Sequence, residues 1–112
     1  MKKLHNYVTG EWRTGTGEGV PMHDAITGEV IALSDTQGLD FGEILQYGRE
    51  KGAALRKMTF QERGNMLKSL ALHLVKKKAD FYEISYRTGA TKIDSWIDIE
   101  GGFGNLFANA SL

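Results

Sequence analysis

An amphipathic repeat in the middle of the chain constrains its fold more than any other feature. Apolar residues recur there at spacings of three and four positions, the period of a helix with one buried face. They are Met66, Leu67, Leu70, Ala71, Leu74 and Val75. Thr59, followed three residues later by Glu62, is a capping-box motif and predicts the start of this helix. Its apolar stripe requires another element to cover it.

Three further helices are predicted around this one, each from a start or end signal. The signals are Asp40 with Glu43 and then Gly52 for the first helix, Asp80 with Glu83 and then Gly89 for the third, and Thr91 for the fourth. On the first helix one face is expected to carry Phe41, Ile44, Leu45 and Gly48. The basic run 76–78 falls where a helix should end, so dipole compensation explains it.

The first third of the chain is rich in glycine and in strand formers. "HNYVTGEWRT" predicts two short strands around a turn at Thr9 and Gly10. "VPMHDAITGEVIALS" predicts a second hairpin, with strands over 20–24 and 29–34. The intervening "GTGEG" is interpreted as a solvated link. The sequence therefore predicts an α+β arrangement, with β-hairpins over 1–35 and about four amphipathic helices over 39–112.

Charge and cysteine content exclude several functions. Lys and Arg number 14 and Asp and Glu number 14, so the chain has no basic excess with which to hold nucleic acid or an anionic membrane. No cysteine is present, which excludes a thiolate nucleophile and a cysteine-based zinc site in this chain. No secretory signal is visible, and a cytoplasmic location is expected.

Two glycine-rich stretches invite a phosphate-binding interpretation, and both depart from the known fingerprints. "TGTGEG" has Val20 where the third glycine of a dinucleotide loop belongs, and strands rather than a helix follow it. "GGFGNLF" has Phe107 at that third position. Neither stretch predicts a cofactor site.

Isolated polar residues give no catalytic or metal constellation either. His5, His23 and His73 have no metal-ligand spacing between them. Asp98 and Glu100 are two residues apart, so on a helix they point in different directions. The residues alone thus predict no catalytic, cofactor-binding or metal-binding residue in this chain.

The last stretch, "DIEGGFGNLFANASL", is an apolar helical segment without a capping glycine or basic residue at its end. We therefore expect that the chain is the front end of something longer. Ile97, Gly101, Gly104 and Ala108 share one face. We hypothesise that in the longer protein this seam of mostly small residues packs tightly against another helix or a sheet. A local kink at Gly101 and Gly102 is the alternative.

The order of these motifs resembles the N-terminal part of the aldehyde dehydrogenase superfamily. The matching stretches are "NYVTGEW", "DAITGEVIALS" and "MTFQERGNMLKSLALHLVKKKADFYEISYRTGATK". At two places the chain departs from the common pattern of the superfamily: His23–Asp24 replaces Asn-Pro, and Gly89–Ala90 replaces Gly-Lys. In these departures it resembles the branch that acts on semialdehydes of phenylacetate breakdown. A related branch for benzoyl-CoA-derived semialdehydes is not separated from it.

The resemblance implies that residues 1–112 are the N-terminal segment of a dehydrogenase domain, an α+β fragment of an α/β enzyme. The parent would use a cysteine thiolate, NADP or NAD, and a glutamate that activates water, all lying outside this chain. The segment would flank the cofactor domain and be inactive alone. In some members a structural monovalent cation lies nearby, for which Asp98 is a possible match.

Two expectations concern partners. In the parent enzyme, the expected partner is the remainder of the dehydrogenase domain. The isolated chain is expected to self-associate through the helix carrying Met66, Leu70 and Leu74. The alternative is a self-standing helical module that binds a partner helix. Neither interpretation involves a nucleic acid or a membrane.

Overall fold

The computed structural model describes residues 2–112, which form two compact units that meet in sequence at Arg56 and Lys57. The strands are β1 (His5–Val8), β2 (Glu11–Thr14), β3 (Val20–His23) and β4 (Val30–Ser34). The helices are α1 (Phe41–Lys51), α2 (Ala53–Lys57), α3 (Phe60–Val75), α4 (Lys78–Arg87) and α5 (Lys92–Ala110). The predicted α+β arrangement of two hairpins and four main helices is confirmed, and α2 is a short addition to it.

The first hairpin is built on the turn that the sequence predicts. β1 and β2 pair antiparallel, with Tyr7 opposite Trp12 and their rings edge to face at 5.1 Å between centroids. Thr9 and Gly10 both have positive φ, 51° and 82°, as a two-residue primed turn requires. A side chain on Gly10 would lie 2.7 Å from the hydroxyl oxygen of Tyr47, so α1 approaches this turn closely.

The second hairpin, β3 with β4, has a bulge at Met22 and His23. Its turn is held by Asp24, whose Oδ1 accepts hydrogen bonds from the amides of Ile26 and Thr27 at 2.8 and 3.1 Å. β4 also bonds on its other side, where the amide of Leu4 donates to the carbonyl of Leu33 at 2.8 Å. The N-terminal residues thereby tie the two hairpins together.

Helix α1 begins as predicted, with the Asp40 carboxylate accepting from the Glu43 amide at 3.1 Å. Gly52 ends it in a right-handed conformation, at φ −64°, so the chain continues into α2 instead of reversing. The expected apolar face of α1 is largely uncovered, since Phe41 and Leu45 are 60% and 63% exposed.

The helix predicted to start at Asp80 instead begins at Lys78, and its N-cap, Lys77, makes no side-chain cap. The prediction fails because α3 and α4 are joined by only two residues, and the Lys77 amide bonds back to the Leu74 carbonyl at 2.9 Å. The lysine run therefore ends one helix and begins the next. Gly89, at φ +88°, follows the end of α4 as predicted.

The second unit is organised by α5, which packs against both α3 and α4. Phe103 is buried with its ring 6.1 Å from that of Phe81 on α4, and on α3 Ala71 is fully buried. Ser95 is also fully buried, and its hydroxyl lies 2.8 Å from that of Ser85. Thr91 caps α5 in a reciprocal capping box.

α5 runs without interruption through its three glycines from Lys92 to Ala110. A Cβ added at Gly101, Gly102 or Gly104 would meet no atom within 4 Å. The predicted seam therefore has no neighbour in the described residues of this chain.

Little of the described chain is covered by its own residues, and its buried apolar side chains are Ala32, Ala71 and Phe103. The exposed area is 8480 Å². Two separate compact units of half the mass each would expose about 7,400 Å² in total, so the excess is about 1,100 Å². Much apolar helix surface thus lacks a partner.

A matched pair of glycine substitutions tests the packing of α3 against α5. A Cβ at Gly64 would lie 2.6 Å from the backbone carbonyl oxygen of Ala110, so Gly64→Ala should destabilise the second unit by about 1–3 kcal/mol. Gly101→Ala adds the same methyl group in open space and should stabilise it by about 0.5–1 kcal/mol. Urea unfolding followed by circular dichroism measures both values. Equal effects of the two substitutions would contradict this packing.

Candidate functional site

The histidines singled out in the sequence lie apart and serve local roles. Nδ1 of His5 lies 2.7 Å from the Thr14 hydroxyl across the first hairpin. Nδ1 of His23 lies 3.2 Å from the Gly28 carbonyl in the second hairpin. His73 is exposed on α3. Within residues 2–112, no group of three or more potential ligands is arranged to hold a metal ion.

The two acidic residues of α5 face different surroundings. Glu100 pairs with Lys78 at 3.1 Å. Burial raises the pKa of Tyr82 above its ordinary value of 10.0, and the nearby Glu100 raises it further. Asp98 lies along a groove on another side of the helix. The structure thus does not bring Asp98 and Glu100 together as a carboxylate pair.

The glycine-rich segment 15–19 does wrap an anionic group, which is supplied by the chain itself. The Asp35 carboxylate accepts from the Gly17 amide at 2.7 Å and from the Gln37 amide at 2.9 Å. Lys3 reaches the same carboxylate at 3.1 Å and also donates to the carbonyls of Gly15 and Gly17. This Lys3–Asp35 clamp replaces the solvated link expected from the sequence, since Gly15 is buried.

The hydrogen bonds of the clamp lower the pKa of Asp35. The Gln37 amide has the largest effect, and Lys3 and the Gly17 amide lower it further, while burial opposes them. Because these donors are already engaged, the segment does not fit the phosphates of a nucleotide. Sequence reasoning missed the clamp because its members are 32 residues apart.

One apolar groove lies on the second unit, with a volume of about 470 Å³. Its walls come from α4 and α5, with Leu74 of α3 at one end. Apolar side chains line most of it, including Phe81, Ile84 and Leu106, and Asp98 is the charged residue in its lining. Such a surface suits an apolar segment or ligand and offers no nucleophile or base arrangement for catalysis.

In the part of the chain that the structure describes, no helix has the length and apolar character needed to cross a bilayer.

Because of the clamp, the free energy of unfolding is expected to depend on pH in the acid range. Because the pKa of Asp35 is lower in the folded chain than its ordinary value of 3.8, its stabilising contribution is present above that value and is lost as pH falls through the folded pKa. Asp35→Asn should therefore lower the melting temperature at neutral pH, and the difference from wild type should shrink below about pH 4.

Asp98→Asn is the control, because that carboxylate is exposed and has no salt-bridge partner among the described residues. Melting temperatures recorded from neutral to acid pH measure both variants. A difference between Asp35→Asn and wild type that stays constant over this range would contradict the assignment.

Comparison with known proteins gives one substantial similarity. No protein-family model matches the chain. The 3,4-dehydroadipyl-CoA semialdehyde dehydrogenase of Aromatoleum evansii is 40% identical over 101 residues, which cover 88% of this chain. The chain spans only 20% of the length of that relative. The resemblance to the aldehyde dehydrogenases is therefore confirmed, and most of this chain matches part of a semialdehyde dehydrogenase.

Proposed function

We propose that residues 1–112 serve as the N-terminal segment of an NAD(P)-dependent semialdehyde dehydrogenase of aromatic catabolism. The observation that carries this proposal is the 40% identity to a semialdehyde dehydrogenase across 88% of the chain. In this role the segment is structural: it packs on the flank of the cofactor domain, and the rest of the enzyme performs the reaction in the cytoplasm.

The chemistry of the reaction supports a structural role for this segment. Oxidation of an aldehyde by such an enzyme begins with attack by a thiolate, and the chain contains no cysteine. The nicotinamide cofactor, NADP or NAD, accepts the hydride, and segment 15–19 does not offer it a phosphate site because its donors hold Asp35. Nucleophile and cofactor site would both lie in the remainder of the enzyme, so the segment alone is expected to be inactive.

The uncovered apolar surface also supports this role. Ile84 on α4 and Ile93, Trp96 and Ile97 on α5 are each more than half exposed. Surfaces of this kind mark contacts with other polypeptide. The remainder of the dehydrogenase is the partner that the sequence relative suggests.

A self-standing interaction module is the alternative, and the apolar groove between α4 and α5 favours it. In that case the groove would receive an apolar helix of another protein, and the sequence identity would reflect shared ancestry without shared catalysis.

A chimera tests the proposal. In the Aromatoleum evansii enzyme, the stretch that matches this chain would be replaced by the corresponding residues of this chain, and reduction of NAD or NADP with 3,4-dehydroadipyl-CoA semialdehyde would be followed. We expect activity within about tenfold of that enzyme, because the replaced stretch contributes packing and no reacting group. The isolated chain should show no turnover.

A second chimera with Phe103→Asp provides the control. It places a charge in the buried contact between α4 and α5 and should abolish both folding and activity. A folded but inactive first chimera would contradict the structural role, and turnover by the isolated chain would contradict the requirement for a thiol elsewhere.

A further inference from the structure

One carboxylate in the apolar groove of the second unit has no charged partner in the described chain. Asp98 is the charged residue among the mostly apolar side chains of α4 and α5 that line this groove. The hydroxyl groups of the lining are already engaged: that of Thr88 donates to the Ser85 carbonyl at 2.6 Å, and that of Ser85 lies 2.8 Å from the Ser95 hydroxyl. Among residues 2–112, no basic side chain pairs with Asp98.

The other acidic residues of α4 and α5 each have a local reason for their position. Glu83 and Glu100 form salt bridges within the second unit. Asp94 belongs to the capping box of α5, and Asp80 lies in the first turn of α4, where the positive end of the helix dipole favours a carboxylate. Asp98 lies beyond the first turn of α5 and has neither kind of support.

The space beside this carboxylate can admit a long side chain. Gly102 lies one helical turn further along α5 than Asp98, and it also lines the groove. A Cβ at Gly102 would meet no atom within 4 Å. The helix surface next to Asp98 is therefore open, and a side chain that crosses over Gly102 can reach the carboxylate.

Covering the groove would change the energetics of Asp98. In the isolated chain its side chain is exposed to solvent. A polypeptide that fills the groove displaces this solvent, and a carboxylate that is buried without a partner is strongly destabilising. Lysine and arginine are the side chains that combine a positive charge with a long apolar stem, and such a stem suits the rest of the lining.

We infer that the polypeptide segment that packs into this groove is apolar and contributes one lysine or arginine, which crosses Gly102 and pairs with Asp98. The inference rests on the proposed function, because the remainder of the dehydrogenase is the polypeptide that covers the groove. It adds the chemistry of the covering segment. The ion pair also fixes the position of that segment along α5, since any other register leaves Asp98 buried and unpaired.

Thermal unfolding of the first chimera, which carries this chain within the Aromatoleum evansii enzyme, tests the inference. Asp98→Lys should lower its melting temperature by at least about 5 °C, because two cations then meet in a covered groove. Asp98→Glu keeps the negative charge and should recover most of this loss. Asp80→Lys is the control, with the same change of charge at an exposed position of α4, and it should shift the melting temperature by no more than about 2 °C. In the isolated chain, where nothing covers the groove, Asp98→Lys should also shift it by no more than about 2 °C.

A glycine substitution tests separately whether the groove is covered. Gly102→Leu raises helix propensity and meets open space, so it should raise the melting temperature of the isolated chain. In the chimera the same side chain would occupy the path of the lysine or arginine and should lower the melting temperature. A rise in both proteins would show that the groove stays open and would overturn the inference.

A small cation from solution is the competing partner for Asp98. Melting temperatures of the unaltered chimera in sodium, potassium and tetramethylammonium chloride at equal ionic strength should agree, and a requirement for sodium or potassium would overturn the inference. An active chimera that tolerates Asp98→Lys, or that loses as much stability with Asp98→Glu, would overturn this inference and leave the proposed function standing. An inactive chimera would overturn both.

Discussion

Helix α5 is the element on which the second unit depends. It packs against both α3 and α4, and it does so through three different kinds of contact. Phe103 packs against the ring of Phe81, the hydroxyl of the buried Ser95 meets that of Ser85, and the C-terminal turn of α5 passes directly over Gly64. Removing α5 would leave α3 and α4 with few other apolar partners in this unit, so the single helix at the end of the chain holds the rest together.

Local signals in the sequence predicted much of this structure. The turn at Thr9 and Gly10, the caps at Asp40, Thr59 and Thr91, and the stop at Gly89 all occur where the residue types require them. Each depends on neighbours within a few positions, and such contacts can be read from spacing alone.

Features that depend on distant residues could not be predicted in this way. Asp80 resembles a helix cap, but the tight connection between α3 and α4 places the helix start two residues earlier. The clamp joins Lys3 to Asp35 across two hairpins, and no local sequence motif predicts this contact. The candidate groove likewise arises from the packing of α4 on α5, because its lining residues are spread over three helices.

The exposed apolar faces link the structure to the proposed role. An isolated unit with this little core should open frequently, because backbone hydrogen bonds are protected mainly by buried apolar contacts. Within the proposed dehydrogenase the same helices would be covered, and their opening would become rarer.

Amide hydrogen exchange, followed by mass spectrometry, measures this difference most directly. The isolated chain, dilute enough to be monomeric, would be compared with the same residues inside the chimeric dehydrogenase. The account predicts that peptides of α3 and α5 exchange much more slowly in the chimera, while the exposed turn around Asp24–Gly28 exchanges at the same rate in both. Equal exchange of α3 and α5 in the two proteins would contradict the claim that this chain is a segment that the rest of an enzyme covers.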